Sequence, residues 1–302
     1  MIVTLPPTDD LIAAALAEDL GVEPSRVRSA VGRGAPLLDR DVTSSATVPA
    51  DAVFSGSITA RDAGVVCGLP VAARTFEMLA HAAGSAPVDC FPLVAEGADV
   101  TPGTVVMEIS GPARTVLAAE RTALDIVMVL SGIATEARRW QQAAGDGMAV
   151  TDTRKTLPGL RALSKYAVAV GGAHNHRAGL YDMVLIKDNH IAHAGGIAAA
   201  VGAARTAHPD LLVECEADSI EQAVEAARAG ADYVLLDNLD DATLARAVEA
   251  VREAAAGRTC LTEASGRITF DRLPALAATG VDRVSASALT LARPVDFGLD
   301  AG

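Results

Sequence analysis

The sequence predicts an α/β protein: a parallel sheet curled into a barrel, preceded by a part of α+β character. Three observations carry this. From about residue 148, short apolar runs and helical stretches alternate roughly every 20 to 25 residues, the pattern of βα units. Half the residues (50%) are hydrophobic but only 3% are aromatic, and alanine, valine and leucine dominate, which suits packed helices and buried parallel strands. The first part lacks the alternation and reads instead as strands joined by turns. At 302 residues the chain can form one large domain or two moderate ones.

The elements follow in order. "TDDLIAAALAEDLG" reads as a helix with Thr8 as N-cap, Asp9 and Asp10 in its first turn and Gly21 as its stop. "AVFSGSITARDAGVVCG" and "VDCFPLVAEGADVTPGTVVMEISGPART" read as strands and turns, with a helix near 69–83 between them. "AAERTALDIVMVLSGIATEARRWQQAA" is a long helix, and the domain boundary is expected inside it, near residue 127. "MAVTDTRK" is a short strand, and "PGLRALSKYAVAV" a helix with Pro158 in its first turn and Gly171 at its end. "MVLIKDNH", "LLVECEAD", "DYVLLDN", "TCLTEASG" and "DRVSASALT" are the next strands, and the stretches between them are helices.

Composition excludes several classes. The net charge of −13 argues against a nucleic-acid partner, which calls for a basic face. No stretch reads as a membrane span, and the N-terminus lacks the basic start of a signal peptide. Cys67, Cys90, Cys215 and Cys260 are scattered without a CxxC, so buried free thiols in a reducing cytoplasm are expected.

The chemistry collects where the barrel strands end. Arg154 and Lys155 follow the first strand, and Lys187 with Asp188 the second. Glu214 and Glu216 lie two apart on the third, on one side of it. Asp237 and Asn238, then Ser265 and Gly266, then Ser285 and Ser287 follow the remaining three. Active sites of such barrels sit at this rim. Each residue taken singly is ordinary turn chemistry; the converging set favours a site. His174, His176 and Arg177 in "GGAHNHRAG" add to the cations. Cations suit an anion bearing several carboxylates or phosphates. Carboxylates suit Mg²⁺ held through water. Ser-Gly strand ends offer N–H groups to a phosphate. Arg161, within the next helix, reads as a surface ion-pair residue.

The segments "TDTRKTLPGLR", "GGAHNHRAGLYDMVLIKDNH", "ECEADS", "VLLDN" and "EASG", with "EDLG…DVTS" and "ERTALDIVMVLSGIAT", occur in order over nearly the whole chain. In these the sequence resembles the quinolinate phosphoribosyltransferases. The resemblance implies an N-terminal α/β sandwich (1–126, with the tail 289–302 returning to it) and an incomplete TIM-like α/β barrel (127–288). It implies transfer of phosphoribose from phosphoribosyl pyrophosphate to quinolinate with loss of CO₂, giving nicotinate mononucleotide for NAD synthesis. It also implies Mg²⁺ and a cytoplasmic homodimer. Carried over by position, Arg154, His176, Arg177 and Lys187 surround the quinolinate carboxylates, and Arg121 enters the neighbouring subunit's site. Lys155 contacts the phosphoribosyl pyrophosphate, Glu216 and Asp237 hold its Mg²⁺ and ribose side, and Ser265, Gly266, Ser285 and Ser287 take the 5′-phosphate. Lys155, Lys187, Glu216 and Asp237 are the expected catalytic set.

The chain departs from the family pattern in three places. Residues 22–40 intervene between "EDLG" and "DVTS" and are expected as a surface loop; Arg267 stands where a second glycine is usual; Leu291 stands where histidine is frequent. Three rival readings compete. Lys187 could be a Schiff-base lysine of a lyase. His174, His176, His190 and His193 could form a zinc site, on weak spacing. The chain could also be a non-catalytic anion binder, like the molybdenum-transport paralogue that shares part of "TRKT".

Overall fold

The computed structural model describes residues 3–28 and 36–302, which divide into two compact units. The first comprises Met1–Glu136, Leu157–Gly171 and Ala292–Gly302; the second comprises Ala137–Thr156 and Gly172–Leu291.

In the first unit, helix α1 (Asp9–Leu20) ends at Gly21, whose left-handed φ of 60° lets its N–H reach back to the last turn. Thr8 occupies the N-cap position but its side chain makes no capping bond. The inserted segment is not simply a loop: Pro24–Arg28 is a short helix, α2, with Val27 buried, and Leu37–Arg40 is a 3₁₀ turn. Its residues 29–35 lie outside the described residues. Asp41 caps α3 (Val42–Thr47), accepting from the N–H groups of Thr43 and Ser44.

A mixed layer follows. β1 (Val53–Ala60), β2 (Gly64–Val65), α4 (Leu69–Ala83), β3 (Asp89–Pro92), β4 (Asp99–Val100), β5 (Val105–Pro112) and α5 (Ala113–Ala144) run in order. β1 pairs antiparallel with β5, and β5 with β3. The chain's last strand, β12 (Phe297–Ala301), pairs antiparallel with β1, and the sheet order is β12-β1-β5-β3. The helices of this unit bury Ile12, Leu16, Phe76, Leu79, Leu124 and Leu130, all at most 1% exposed. Each such apolar side chain stabilises by about 1.5–3 kcal/mol on burial. Glu96 accepts from the N–H groups of Gly68 and Leu69 at the start of α4 and from the Tyr166 hydroxyl (2.9 Å), tying α6 (Arg161–Val170) to this unit. α6 begins later than the sequence suggests: Pro158 and Gly159 form the preceding turn, where Gly159 takes φ +81°.

The second unit is the barrel. Its strands are β6 (Ala149–Thr151), β7 (Val184–Ile186), β8 (Val213–Ala217), β9 (Tyr233–Asp237), β10 (Leu261–Ser265) and β11 (Arg283–Ser285). They pair in parallel in the order β6-β11-β10-β9-β8-β7. Six strands make an incomplete barrel, and the helix that follows β6, α6, belongs to the first unit. The helices are α7 (Asp188–Ala194), α8 (Ile197–Ala207), α9 (Ile220–Ala229), α10 (Asp241–Ala254) and α11 (Leu273–Ala278). α10 buries Leu244, Ala247, Val248 and Val251, the stripe expected of a helix with one face on a sheet. Ser219 and Asp240 cap α9 and α10.

Strand alternation decides what faces inward. Val213, Cys215 and Ala217, at most 1% exposed, lie on one side of β8; Glu214 and Glu216 lie on the other. The same period sets Glu263 with Ser265 on β10, and Arg283 with Ser285 on β11.

Candidate active site

The strand ends of the second unit enclose a cavity of about 190 Å³. Thr153, Arg154 and Lys155 after β6, His176 and Arg177 from the loop before β7, and Leu185 and Lys187 at β7 line one side of it. Leu235, Glu263, Ser265 and Ser285 line the other. Larger grooves of about 780 and 960 Å³ lie on the first unit against α1 and α4, but they are lined by paired charges such as Arg74 with Asp9 and Glu77. The smaller cavity is the one where cations converge.

Arg154 and Arg177 place buried Nε atoms at this cavity, and neither atom has a hydrogen-bond partner. Burial, and then the neighbouring charge of Arg154, lower the Arg177 pKa, opposed by Glu214 and Asp182. Arg177 Nη1 donates to the Met183 carbonyl (3.3 Å). Two guanidiniums held this close favour an anion of more than one charge.

Beneath them lies a buried charge network. His176 Nε2 is 2.9 Å from Glu214 Oε2 and 3.4 Å from Glu263 Oε2. Arg283 contacts both carboxylates, with Nη2 3.0 Å from Glu214 Oε1 and Nε against Glu263 Oε2, and its guanidinium stacks 3.7 Å from the Tyr233 ring centre. Both glutamates are 0% exposed. The contacts are charge contacts more than aligned hydrogen bonds, since Glu214 Oε2 and both Glu263 oxygens lack a bond of good geometry. Burial disfavours the charged imidazolium, whose Nδ1 faces the Arg177 backbone N–H at 2.8 Å. The two carboxylates prevail and raise the His176 pKa to about 9. Burial and Glu263 raise the Glu214 pKa, whereas Glu263, although burial opposes it, is lowered by His176 and Arg283.

The remaining sequence-derived residues are placed as follows. Lys187 Nζ pairs with Glu216 Oε2 at 2.6 Å, joining two residues the sequence reading had assigned to different substrates. Asp237 accepts from Asn238 Nδ2 (2.6 Å), and the Asn238 N–H donates to the Ser265 carbonyl (3.0 Å). Gly266 has φ +85°, and a Cβ there would lie 2.3 Å from Asn238 Oδ1, so the turn requires glycine. Arg267 keeps a left-handed φ of 49°, a conformation that favours glycine. Ser285 Oγ donates to Ser265 Oγ (3.3 Å). Glu216, Asp237, Gly266 and Ser287 flank the cavity lining on the same strand ends. Arg121 lies on the first unit, exposed on α5 and paired with Asp125 at 3.3 Å.

Two candidate cation sites differ in fit. Glu216 and Asp237 are hard carboxylates at the ends of neighbouring strands, a donor set suited to Mg²⁺ with retained water. His176, Glu214 and Glu263 bring three donor atoms together, but Arg283 already pairs with both carboxylates there. Among the described residues the four histidines do not converge: His190 Nδ1 accepts from the Lys187 N–H and His193 Nδ1 contacts the Asn189 carbonyl, so the zinc reading fails.

The sequence reading missed Glu263 and Arg283. A signal was present, since each stands two residues before a rim residue and therefore on the same face.

A barrel unit with paired guanidiniums, lysines, carboxylates and Ser-Gly turns at its strand ends defines an enzyme class that handles carboxylate and phosphate anions. Family models described as quinolinate phosphoribosyl transferase match residues 41–131 (N-terminal domain) and 133–300 (C-terminal domain). Curated relatives named nicotinate-nucleotide pyrophosphorylase [carboxylating] include one from Mycobacterium leprae, 41% identical over 86% of this chain and 90% of that protein. Another, from Homo sapiens, is 40% identical over 80% of each. A solved structure of NadC from Streptococcus pyogenes superposes with a TM-score of 0.84 at 34% identity, over 97% of this chain and 95% of that one. The chain belongs to the quinolinate phosphoribosyl transferase family.

Proposed function

We propose that the strand-end cavity of the second unit carries out the reaction of this family, with the residues at its rim in the following roles. The chain transfers phosphoribose from phosphoribosyl pyrophosphate to quinolinate with loss of CO₂, giving nicotinate mononucleotide and pyrophosphate. The observation that carries the site assignment is the pair of buried, unpartnered Nε atoms of Arg154 and Arg177 at one cavity.

Arg154 and Arg177 take the two quinolinate carboxylates, with His176 and Lys187 beside them. Lys155 and Lys187 steady the pyrophosphate as it leaves. Ser265, Gly266, Ser285 and Ser287 take the 5′-phosphate. Glu216 and Asp237 hold the ribose side and, through water, Mg²⁺, which supplies charge neutralisation on the pyrophosphate when bound. The pyridine nitrogen attacks the anomeric carbon as the C–O bond to pyrophosphate breaks. The ring nitrogen becomes cationic. The C–C bond to the adjacent carboxylate then breaks, CO₂ departs, and the electron pair left beside N⁺ takes a proton from solvent. The protein's contribution is alignment and charge placement.

A homodimer is part of this proposal. The exposed guanidinium of Arg121, 60% accessible, is suited to reach a neighbouring subunit's cavity. A cytoplasmic setting fits the four unpaired cysteines. Among the described residues, no helix is long and apolar enough to cross a membrane. The test is turnover of quinolinate with phosphoribosyl pyrophosphate and Mg²⁺. Nicotinate mononucleotide and CO₂ should appear together, and nicotinate in place of quinolinate should give neither.

A further inference from the structure

We propose that Glu214, Glu263 and Arg283 form a positioning unit for the quinolinate-binding wall, acting through His176. This rests on the site reading above.

The network is difficult to account for as a stability device. Glu214 and Glu263 are 0% exposed, and a buried ion network is seldom more stable than apolar residues of the same volume. Its place in the fold is regular. Glu214, Glu263 and Arg283 sit two residues before Glu216, Ser265 and Ser285, one layer below the rim on the same strand faces. Register brings them together: Glu263 lies opposite Arg283 in the β10–β11 pairing.

The connection runs through His176. Each carboxylate touches both His176 Nε2 and Arg283, so the imidazole is gripped by two acids that are themselves fixed by one guanidinium. The His176 backbone N–H donates to Asp152 Oδ1 at 2.8 Å, and Asp152 is 0% exposed. Nδ1 lies 2.8 Å from the Arg177 backbone nitrogen. Both ring nitrogens thus face protein atoms. The residue that reaches the cavity from this loop with an unpartnered buried donor is Arg177, the next in sequence. Fixing His176 from below fixes where Arg177 begins. Glu214 also stabilises the Arg177 charge.

Glu263→Gln keeps the shape and removes one of the two gripping charges. The expected result is a KM for quinolinate raised about tenfold, with the KM for phosphoribosyl pyrophosphate within about twofold of wild type. Glu263→Gln alone leaves the network with one surplus positive charge. The double variant Glu263→Gln/Arg283→Met restores neutrality and should show the same split. A folded variant of either kind with a wild-type quinolinate KM, or with both KM values raised equally, overturns the positioning role. Absence of turnover by the wild type overturns the site reading and this role with it. Turnover by the wild type with unshifted variants overturns this role alone.

Discussion

Replacing Arg283 with methionine isolates the energetics of the buried network. The substitution removes the guanidinium that contacts both Glu214 and Glu263, and leaves two fully buried carboxylates with His176 as their remaining cation. Removing one partner of a buried ion network costs about 3–5 kcal/mol. Loss of the contact with Tyr233, 3.7 Å from the guanidinium carbon, adds about 1 kcal/mol. For a unit of this size, where 1 kcal/mol moves the midpoint by about 2–4 °C, the drop should be roughly 8–24 °C. The chain's single tryptophan reports it. Trp140 is 2% exposed, lies in the second unit and packs edge-on against Phe270 at 6.0 Å, so its fluorescence follows that unit's unfolding. Burial and Glu263 already raise the Glu214 pKa, so acidification that protonates this carboxylate should shrink the loss. A cost below about 1 kcal/mol would refute the reasoning, because it would place the carboxylates in solvent-screened surroundings.

Other outcomes follow from the same geometry. Arg154→Ala removes a charge-assisted contact worth about 1.5–3 kcal/mol, so quinolinate affinity by calorimetry should fall by roughly 10- to 150-fold; unchanged affinity would remove Arg154 from the site. Gly266→Ala combines a φ of +85° with a Cβ 2.3 Å from Asn238 Oδ1, so it should displace Asn238 from Asp237 and raise the KM for phosphoribosyl pyrophosphate several-fold; wild-type kinetics would contradict that. The His176 pKa is raised from 6.5 to about 9, so its contribution to stability should be complete below pH 6.5 and lost as pH rises through 9; the same denaturation series on His176→Asn should lack that slope.

Much of this was legible in the sequence, for physical reasons that name their own limits. The strands of the second unit are short apolar runs ended by polar residues, so both the βα alternation and the rim could be read from period and punctuation. Period alone does not say which layer a helix joins, and α6, which reads as a barrel helix, packs in the first unit. Segment 22–40 has no strong periodicity, yet Val27 is buried on a helical turn. Glu263 and Arg283 escaped notice because a charge inside a strand reads as an outward position; here the barrel interior is where the charges pair. Arg267 marks the converse case. The residue departs from the family's glycine while the backbone keeps the left-handed conformation that glycine favours.

The most direct test of the whole account is turnover by the purified chain. Quinolinate, phosphoribosyl pyrophosphate and Mg²⁺ should give nicotinate mononucleotide and CO₂ in equal amounts, and Arg154→Ala should depress the rate through quinolinate. Quinolinate binding without product, in a folded protein with Mg²⁺ present, would contradict it and make the cavity a binding site rather than an active one.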